Sequence, residues 1–272
     1  MQPSYKHAAP NKLSTGSWPV WGMLCLIMNW HTGVLAQPSQ AQVTDNDTTS
    51  AAPQPPDASD LHALDWAIGV FLYQEPGLMR LTGPEAKLHW QYRTQTPNWP
   101  AKLQAELGLA SLQYNSTNTG SLHNLPGITA RAAALWPLHV SEYSGWHLGL
   151  QIDMVWTDLR GISSTGHKGY RRLGTKAWGT LQHETSQGSI AELGVLLRGR
   201  QDSLLSDTGG YDISNTQRKG LYLSYQHSPL QGLWHQPKPW VRYSQIERSD
   251  NDRIYYEPRN KTLELGVRFN LR

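Results

Sequence analysis

The stretch that decides the fold is the end of the chain, Leu263-Glu264-Leu265-Gly266-Val267-Arg268-Phe269-Asn270-Leu271-Arg272. Apolar residues occupy every second position, and the positions between them hold polar residues or glycine. A strict period of two predicts a β-strand with one apolar and one polar face. The apolar face of such a strand packs either on a protein core or against lipid, so the rest of the chain must discriminate between these environments.

The same alternation recurs in about ten segments from Leu61 to the end of the chain. It is clearest from Trp146 to Trp156, where Leu148, Leu150 and Ile152 alternate with polar residues and glycine. Segments of about ten residues are long enough for tilted transmembrane strands. In hydrocarbon every backbone N–H and C=O group must be paired within the protein, and strands achieve this only in a closed sheet.

We therefore predict an all-β fold, a closed antiparallel transmembrane β-barrel of about ten strands, with eight or twelve strands as alternatives. A soluble β-sandwich is the competing interpretation, and it would have to bury most of the tryptophans. Several of them, including Trp156 and Trp240, lie near segment ends. Rings at strand ends are typical of the interfacial belts of membrane barrels.

The end of the chain resembles the assembly signal of Gram-negative outer-membrane β-barrel proteins, in which a polar residue, a glycine, an aromatic residue and a hydrophobic residue stand at fixed spacing. Glu264, Gly266, Phe269 and Leu271 fill these positions. Over residues 62–272 the chain resembles the small opacity-like or OmpA-transmembrane-like class. The resemblance implies the bacterial outer membrane as location, outer-membrane lipid and lipopolysaccharide as surroundings, and recognition of Gly266, Phe269 and Leu271 by the barrel-assembly machinery.

The front of the chain predicts export. Residues 1–36 contain two lysines, no acidic residue and a short apolar run from Trp18 to Met28, which is typical of a cleaved signal peptide. Residues 37–60 carry four Asp, no aromatic residue and no Lys or Arg, and they predict a disordered acidic linker. The barrel is assigned to residues 61–272. Cys25 lies in the signal segment, so we expect no disulfide and no thiolate metal site after cleavage.

Connection lengths predict the orientation of the barrel. The odd-numbered connections are long and polar (74–81, 115–124, 159–168, 201–217 and 248–261), whereas most even-numbered ones are short. Short turns belong on the periplasmic side and long loops outside, which places both ends of the barrel sequence in the periplasm. The even connection from Ser228 to Lys238 is a long exception.

Charged side chains on the polar face of the strands are expected to line the lumen. The candidates are Glu85, Lys87, His89, Arg93, Glu106, Arg131, Asp153, Arg172, Lys176, Glu192, Arg198, Glu264 and Arg268. Because burying a charge is costly, these groups should either pair across a narrow lumen or be hydrated. The first outcome predicts a filled structural core, and the second predicts a conducting pore.

Three functions follow from these expectations. The first is a structural or surface-interaction role, with the lumen largely filled by charged side chains. The second is a narrow, passive, porin-like channel, and the third is an outer-leaflet lipid or peptide hydrolase. The sequence contains no metal-ligand spacing, no cofactor motif and no basic cluster interleaved with stacking aromatics, so we expect no metal, no cofactor and no nucleic-acid partner.

The hydrolase hypothesis has two possible sites. His227 and Ser228 are similar to the His and Ser of outer-membrane lipid A deacylases, although the spacing departs from that family's pattern. Asp158 and His167 are similar to an Asp and His of the omptin proteases, whose additional Asp pair has no clear match in this sequence. Both resemblances are incomplete, so the sequence favours a protein that is not an enzyme.

Overall fold

The computed structural model describes residues 61–94, 99–116, 120–159, 170–205, 212–247 and 259–271. The predicted signal peptide (1–36) and linker (37–60) lie outside the described residues. The strands are β1 (His62–Glu75), β2 (Met79–Arg93), β3 (Lys102–Ser116), β4 (Gly120–Val140), β5 (Ser144–Asp158), β6 (Tyr170–Thr185), β7 (Ile190–Leu205), β8 (Asp212–Gln217), β9 (Gly220–Gln226), β10 (Lys238–Ile246) and β11 (Asn260–Asn270).

These strands form one antiparallel sheet that closes on itself. Its order is β6-β5-β4-β3-β2-β1-β11-β10-β9-β7, and β6 also pairs with β7. β9 pairs with residues 190–195 of β7 and β8 with residues 199–204, so the two short strands share one position in the barrel. The closed sheet therefore has ten positions, which confirms the predicted architecture and strand number.

The terminal strand occupies the place that closes the sheet. β11 pairs with β1 from Asp65 opposite Asn270 to Gln74 opposite Lys261, and with β10 on its other side. We call the end of the barrel where β1 begins and β11 ends the terminal end, and the opposite end the loop end. At the terminal end Phe269 stacks on Trp66 with ring centroids 4.6 Å apart, on the outer face of the seam.

The outer wall is apolar because alternate side chains of every long strand point away from the lumen. Ile68 is 50% exposed, Leu107 52% and Leu150 54%, while their sequence neighbours are mostly buried or half-buried. Exposed aliphatic side chains on strand after strand form the apolar band that a membrane-spanning barrel presents to lipid. No helix in the described part of the chain is long and apolar enough to cross a membrane.

Two details differ from the predictions. Strand pairing continues into the first, second and fourth odd connections: β1 and β2 are joined by a tight turn in which the Leu78 N–H donates to the Glu75 carbonyl over 3.0 Å, β3 extends to Ser116, and the predicted connection 201–217 contains the end of β7 and all of β8. The reason is that backbone pairing does not need alternating side chains. Trp240, which was expected in an interfacial belt, is only 9% exposed and lies inside the barrel.

Candidate functional site

A belt of charged side chains crosses the middle of the lumen. The inward-facing positions of β2, β3, β4, β5, β10 and β11 bring it together, since every second residue of these strands points inward. Its members are Glu85, Lys87, Glu106, Arg131, Asp153, Arg242, Glu264 and Arg268. We call this set the charged belt.

Lys87 is the most enclosed cation of the charged belt. Its Nζ lies 3.2 Å from Glu85 Oε1 and 3.5 Å from Glu106 Oε1, and it also donates to Glu264. The same ammonium lies 4.5 Å from the ring centroid of Trp240, whose indole faces it from β10. Three carboxylates and an aromatic face therefore replace the water that a buried ammonium loses.

Arg131 joins the carboxylates on both sides of it. Its guanidinium donates to Glu106 over 2.7 Å and to Asp153 over 3.1 Å, and lies 3.6 Å from Glu264. Arg268 donates to the other oxygen of Glu106 over 3.1 Å. Because Glu106, Asp153 and Glu264 each serve more than one cation, the charged belt is a network rather than a set of separate pairs.

Arg242 completes the charged belt and was missing from the sequence prediction. It donates to Asp153 over 3.2 Å, and its guanidinium carbon lies 3.8 Å from the ring centroid of Tyr222. The faces of β10 were ambiguous in sequence because Trp240 and Ile246 point inward together with Arg242. The alternation of Trp240, Arg242 and Ser244 with Val241 and Tyr243 was the available signal.

Below the charged belt, toward the terminal end, the lumen holds a polar cavity of about 350 Å³. His89 and Arg93 line it, and Arg93 donates to Glu184 over 2.9 Å. Glu184 also accepts from Lys102, and Lys238 bridges Asp65 and Asn270 at 3.4 and 2.6 Å. We call this space the vestibule. Its size and polar lining suit water or a small polar solute.

Above the charged belt, toward the loop end, apolar side chains of β1–β4 and Leu159 cluster in the lumen, where they share a small cavity with polar side chains such as Arg172, Gln201 and Thr262. This apolar plug consists of Phe71, Tyr73, Met79, Leu81, Leu112, Leu125 and Leu159. Arg172 lies beside it and pairs with Glu75 at 2.7 Å, while donating to Gln201 over 2.6 Å. At the first turn Leu78 is exposed, whereas Met79 contributes to the apolar plug.

The remaining lumen candidates have different positions. Glu192 accepts a hydrogen bond from Gln182 over 2.7 Å, and Lys176 lies opposite Asp153 in the β5–β6 register. Arg198 is not in the lumen. An extra residue in β7, opposite the step from Ala177 to Trp178, breaks the register, so Arg198 follows the exposed Leu197 on the outer wall.

Residues proposed for hydrolysis do not form a recognisable catalytic group among the described side chains. His227 Nδ1 lies 3.2 Å from Ser228 Oγ and 2.8 Å from the Ser228 carbonyl, at the terminal end of the barrel. Asp158 lies 3.8 Å from Arg171, and His167 is outside the described residues. Within the described ranges, no group of three His, Cys, Asp or Glu side chains could hold a metal ion.

Three solved structures are similar to this chain at low sequence identity. The outer membrane protease OmpT from Escherichia coli is 8% identical, with 80% of this chain and 99% of that chain covered and a TM-score of 0.47. An outer-membrane channel from Pseudomonas putida F1 is 12% identical, with 84% and 100% covered and a TM-score of 0.42. Neisserial surface protein A is 12% identical, with 77% and 97% covered and a TM-score of 0.29. No protein-family model and no curated protein matches the sequence.

The fold assignment therefore rests on the structure of this chain and not on these comparisons. Its backbone hydrogen bonds close into a ring of ten strand positions, its outer wall is apolar, and its charges face inward, where they pair with one another. A sheet with this distribution has its hydrophobic surface outside and its polar core inside, the reverse of a soluble protein. The chain folds as a closed antiparallel β-barrel of ten strand positions with the apolar outer wall of a membrane-spanning barrel.

Proposed function

We propose that this protein is a non-conducting structural barrel of the outer membrane that presents its loop end as an interaction surface. The observation that supports this proposal most directly is the charged belt. Arg242 on β10 pairs with Asp153 on β5, and Arg131 on β4 lies 3.6 Å from Glu264 on β11, so these pairs connect strands that are four positions apart across the lumen. Paired charges of this kind obstruct the path along the lumen.

The apolar plug supports the same proposal. Phe71, Leu81, Leu112 and Leu125 are each less than 7% exposed, although they lie inside a barrel rather than between two sheets. An aqueous pore is lined by polar groups, and water is unstable in a narrow apolar constriction. The apolar plug therefore narrows the lumen on the loop side of the charged belt, where Arg172, Gln201 and Thr262 complete the lining.

A narrow channel is the second candidate, and the vestibule is the observation that favours it. It is polar, and its roughly 350 Å³ volume begins at the terminal end. On the structural hypothesis this space is a dead end below the charged belt. On the channel hypothesis it is the periplasmic half of a conduction path.

Conductance in planar bilayers separates the two functions. We expect no stepwise ion current from the folded wild-type barrel, and a double variant with Leu81→Ala and Leu125→Ala to remain silent because the charged belt still blocks the path. The lipid-facing substitution Leu88→Ala serves as the control for insertion. Stepwise current from the wild type that changes when Leu81 and Leu125 are truncated, but not with Leu88→Ala, would replace the structural proposal by the channel.

Export and assembly belong to the same proposal. Removal of residues 1–36 would leave the acidic segment 37–60 ahead of β1 at the terminal end, which we place in the periplasm. Gly266, Phe269 and Leu271 are proposed as the signal read by the barrel-assembly machinery. Phe269 and Leu271 suit this role because they lie on the outer face of the strand that closes the sheet.

A further inference from the structure

A cluster of cations lies on the outer wall, where the apolar band of β7 and β9 ends. The register break in β7 leaves Leu196 facing inward and turns Leu197 outward, so the positions that follow place Arg198 and Arg200 on the outer face. Opposite them, the strand position shared by β8 and β9 is interrupted at Arg218 and Lys219, both of which are exposed. The cluster is therefore formed by two irregularities that face each other.

The pairing on each side of the interruption places these cations next to one another. Gly199 is opposite Gln217, and Val195 is opposite Leu221, so Arg198 lies across from the segment that holds Arg218 and Lys219. Like charges that face each other across neighbouring strands destabilise a sheet. Arg200 is neutralised by Asp202 at 2.8 Å, but within the described residues no acidic side chain pairs with Arg198, Arg218 or Lys219.

The surface below this cluster is apolar. Val195 is 51% exposed, Leu197 57% and Leu221 55%, and all three point outward on the same two strands. On the outer wall, cations above exposed aliphatic side chains match a molecule that has anionic groups above acyl chains. Guanidinium groups are well suited to phosphate because they can donate two parallel hydrogen bonds to its oxygens.

We propose that Arg198, Arg218 and Lys219 form a binding site for a phosphate group of an outer-leaflet glycolipid, with the acyl chains lying on Val195, Leu197 and Leu221. Arg198, Arg218 and Lys219 would hold the phosphate at the edge of the hydrocarbon. The lipid phosphate then removes the repulsion that two facing arginines otherwise create. This inference depends on the membrane-spanning barrel and is independent of whether the lumen conducts.

Binding of purified lipid A to the detergent-solubilised barrel, measured by native mass spectrometry, tests the site. The double variant with Arg198→Gln and Arg218→Gln should bind lipid A at least about ten-fold more weakly than the wild type, since each charge-assisted contact contributes at least about a factor of ten. Arg80→Gln is the matched control, because Arg80 is exposed on β2, five strand positions from β7 in either direction around the barrel. This control should bind like the wild type.

Two further probes show which parts of the lipid the site binds. Dephosphorylated lipid A should bind the wild type as weakly as intact lipid A binds the double variant, and inorganic phosphate alone should not compete, because it lacks acyl chains. Equal binding of intact and dephosphorylated lipid A, or competition by inorganic phosphate at equal concentration, would overturn the proposal. So would a double variant that binds lipid A like the wild type.

Stability gives a readout that does not depend on lipid capture. In a zwitterionic detergent without lipid, Arg218→Gln should unfold at a higher temperature than the wild type, because the substitution removes the repulsion from Arg198. Adding lipid A should reverse this order, since only the wild type retains the full site. An Arg218→Gln barrel that is less stable than the wild type in both conditions would show that Arg218 has a structural partner and would contradict the proposal.

Discussion

At the scale of single residues, Lys87 shows how this barrel tolerates charge in its interior. Its ammonium lies within 3.5 Å of two carboxylates, donates to a third, and faces the Trp240 ring. Removing one member of a buried ionic network leaves the others without compensation, which costs more than the network contributes when it is complete. The charged belt should therefore be sensitive to any change that unbalances it.

Lys87→Met is expected to lower the free energy of unfolding by about 3–5 kcal/mol, because Glu85, Glu106 and Glu264 lose their shared cation. Urea titration of the barrel folded into lipid vesicles measures this change. Arg80→Met on the same strand is the control, since Arg80 is exposed and its substitution should change stability by less than about 0.5 kcal/mol. Equal effects of the two substitutions would mean that Lys87 is hydrated rather than held in the network.

At the scale of the element, β5 and β1 show how depth in the membrane is encoded along a strand. Leu150 is in the middle of β5 and 54% exposed, whereas Leu64 lies near the start of β1 and is 40% exposed. Leu150 and Leu64 both lie on the outer wall, so they differ mainly in depth. A charge near the bilayer midplane costs far more than one near the interface.

Leu150→Arg should destabilise the barrel by about 2–4 kcal/mol, and Leu64→Arg by about 0–1 kcal/mol, because only the first places a guanidinium near the midplane. Unfolding in urea from lipid vesicles compares the two variants directly. If Leu64→Arg costs as much as Leu150→Arg, the apolar band is not centred where the exposed leucines of β5 place it.

β11 is the element on which closure depends. It pairs with β1 over ten residue pairs, and Phe269 stacks on Trp66 across this seam. A double variant with Phe269→Ala and Leu271→Ala should reduce the amount of folded protein in the outer membrane several-fold, as judged by immunoblotting of membrane fractions. The matched control carries Leu107→Ala and Leu109→Ala on the lipid face of β3. Similar losses in both variants would indicate a general requirement for outer-wall area rather than a role of the last strand.

At the scale of the whole molecule, closure leaves the sheet almost without free edges. In the described part of the chain every strand pairs on both sides except the short β8, which pairs only with β7, so the ladder offers little edge at which unfolding could start. The paired charges in the lumen strengthen this arrangement by connecting opposite walls.

The folded barrel should therefore resist SDS at room temperature and migrate differently from a boiled sample on the same gel. Boiling disrupts the closed ladder, because all strands must separate together. Circular dichroism of the unboiled sample should show β-structure. Identical migration of boiled and unboiled samples, together with a helical spectrum, would contradict the barrel.

The sequence by itself determined the architecture, because a period of two needs only neighbouring residues to be visible. The alternation from Leu263 to Leu271 and from Trp146 to Trp156 assigned both faces correctly, and the number of such segments predicted ten strand positions. It also predicted most members of the charged belt, because every second residue of a regular strand faces the lumen.

Only the tertiary structure decided which charges meet, since that depends on strand order and register rather than on local pattern. Arg242 joined the charged belt although its strand was ambiguous, and Trp240 turned out to face Lys87. A single extra residue near Leu197 moved Arg198 to the outer wall. Counting every second residue predicts the face of a side chain only while the register is unbroken. The sequence therefore could not place the residues at the extra residue of β7 and at the interruption between β8 and β9, where the lipid site is proposed.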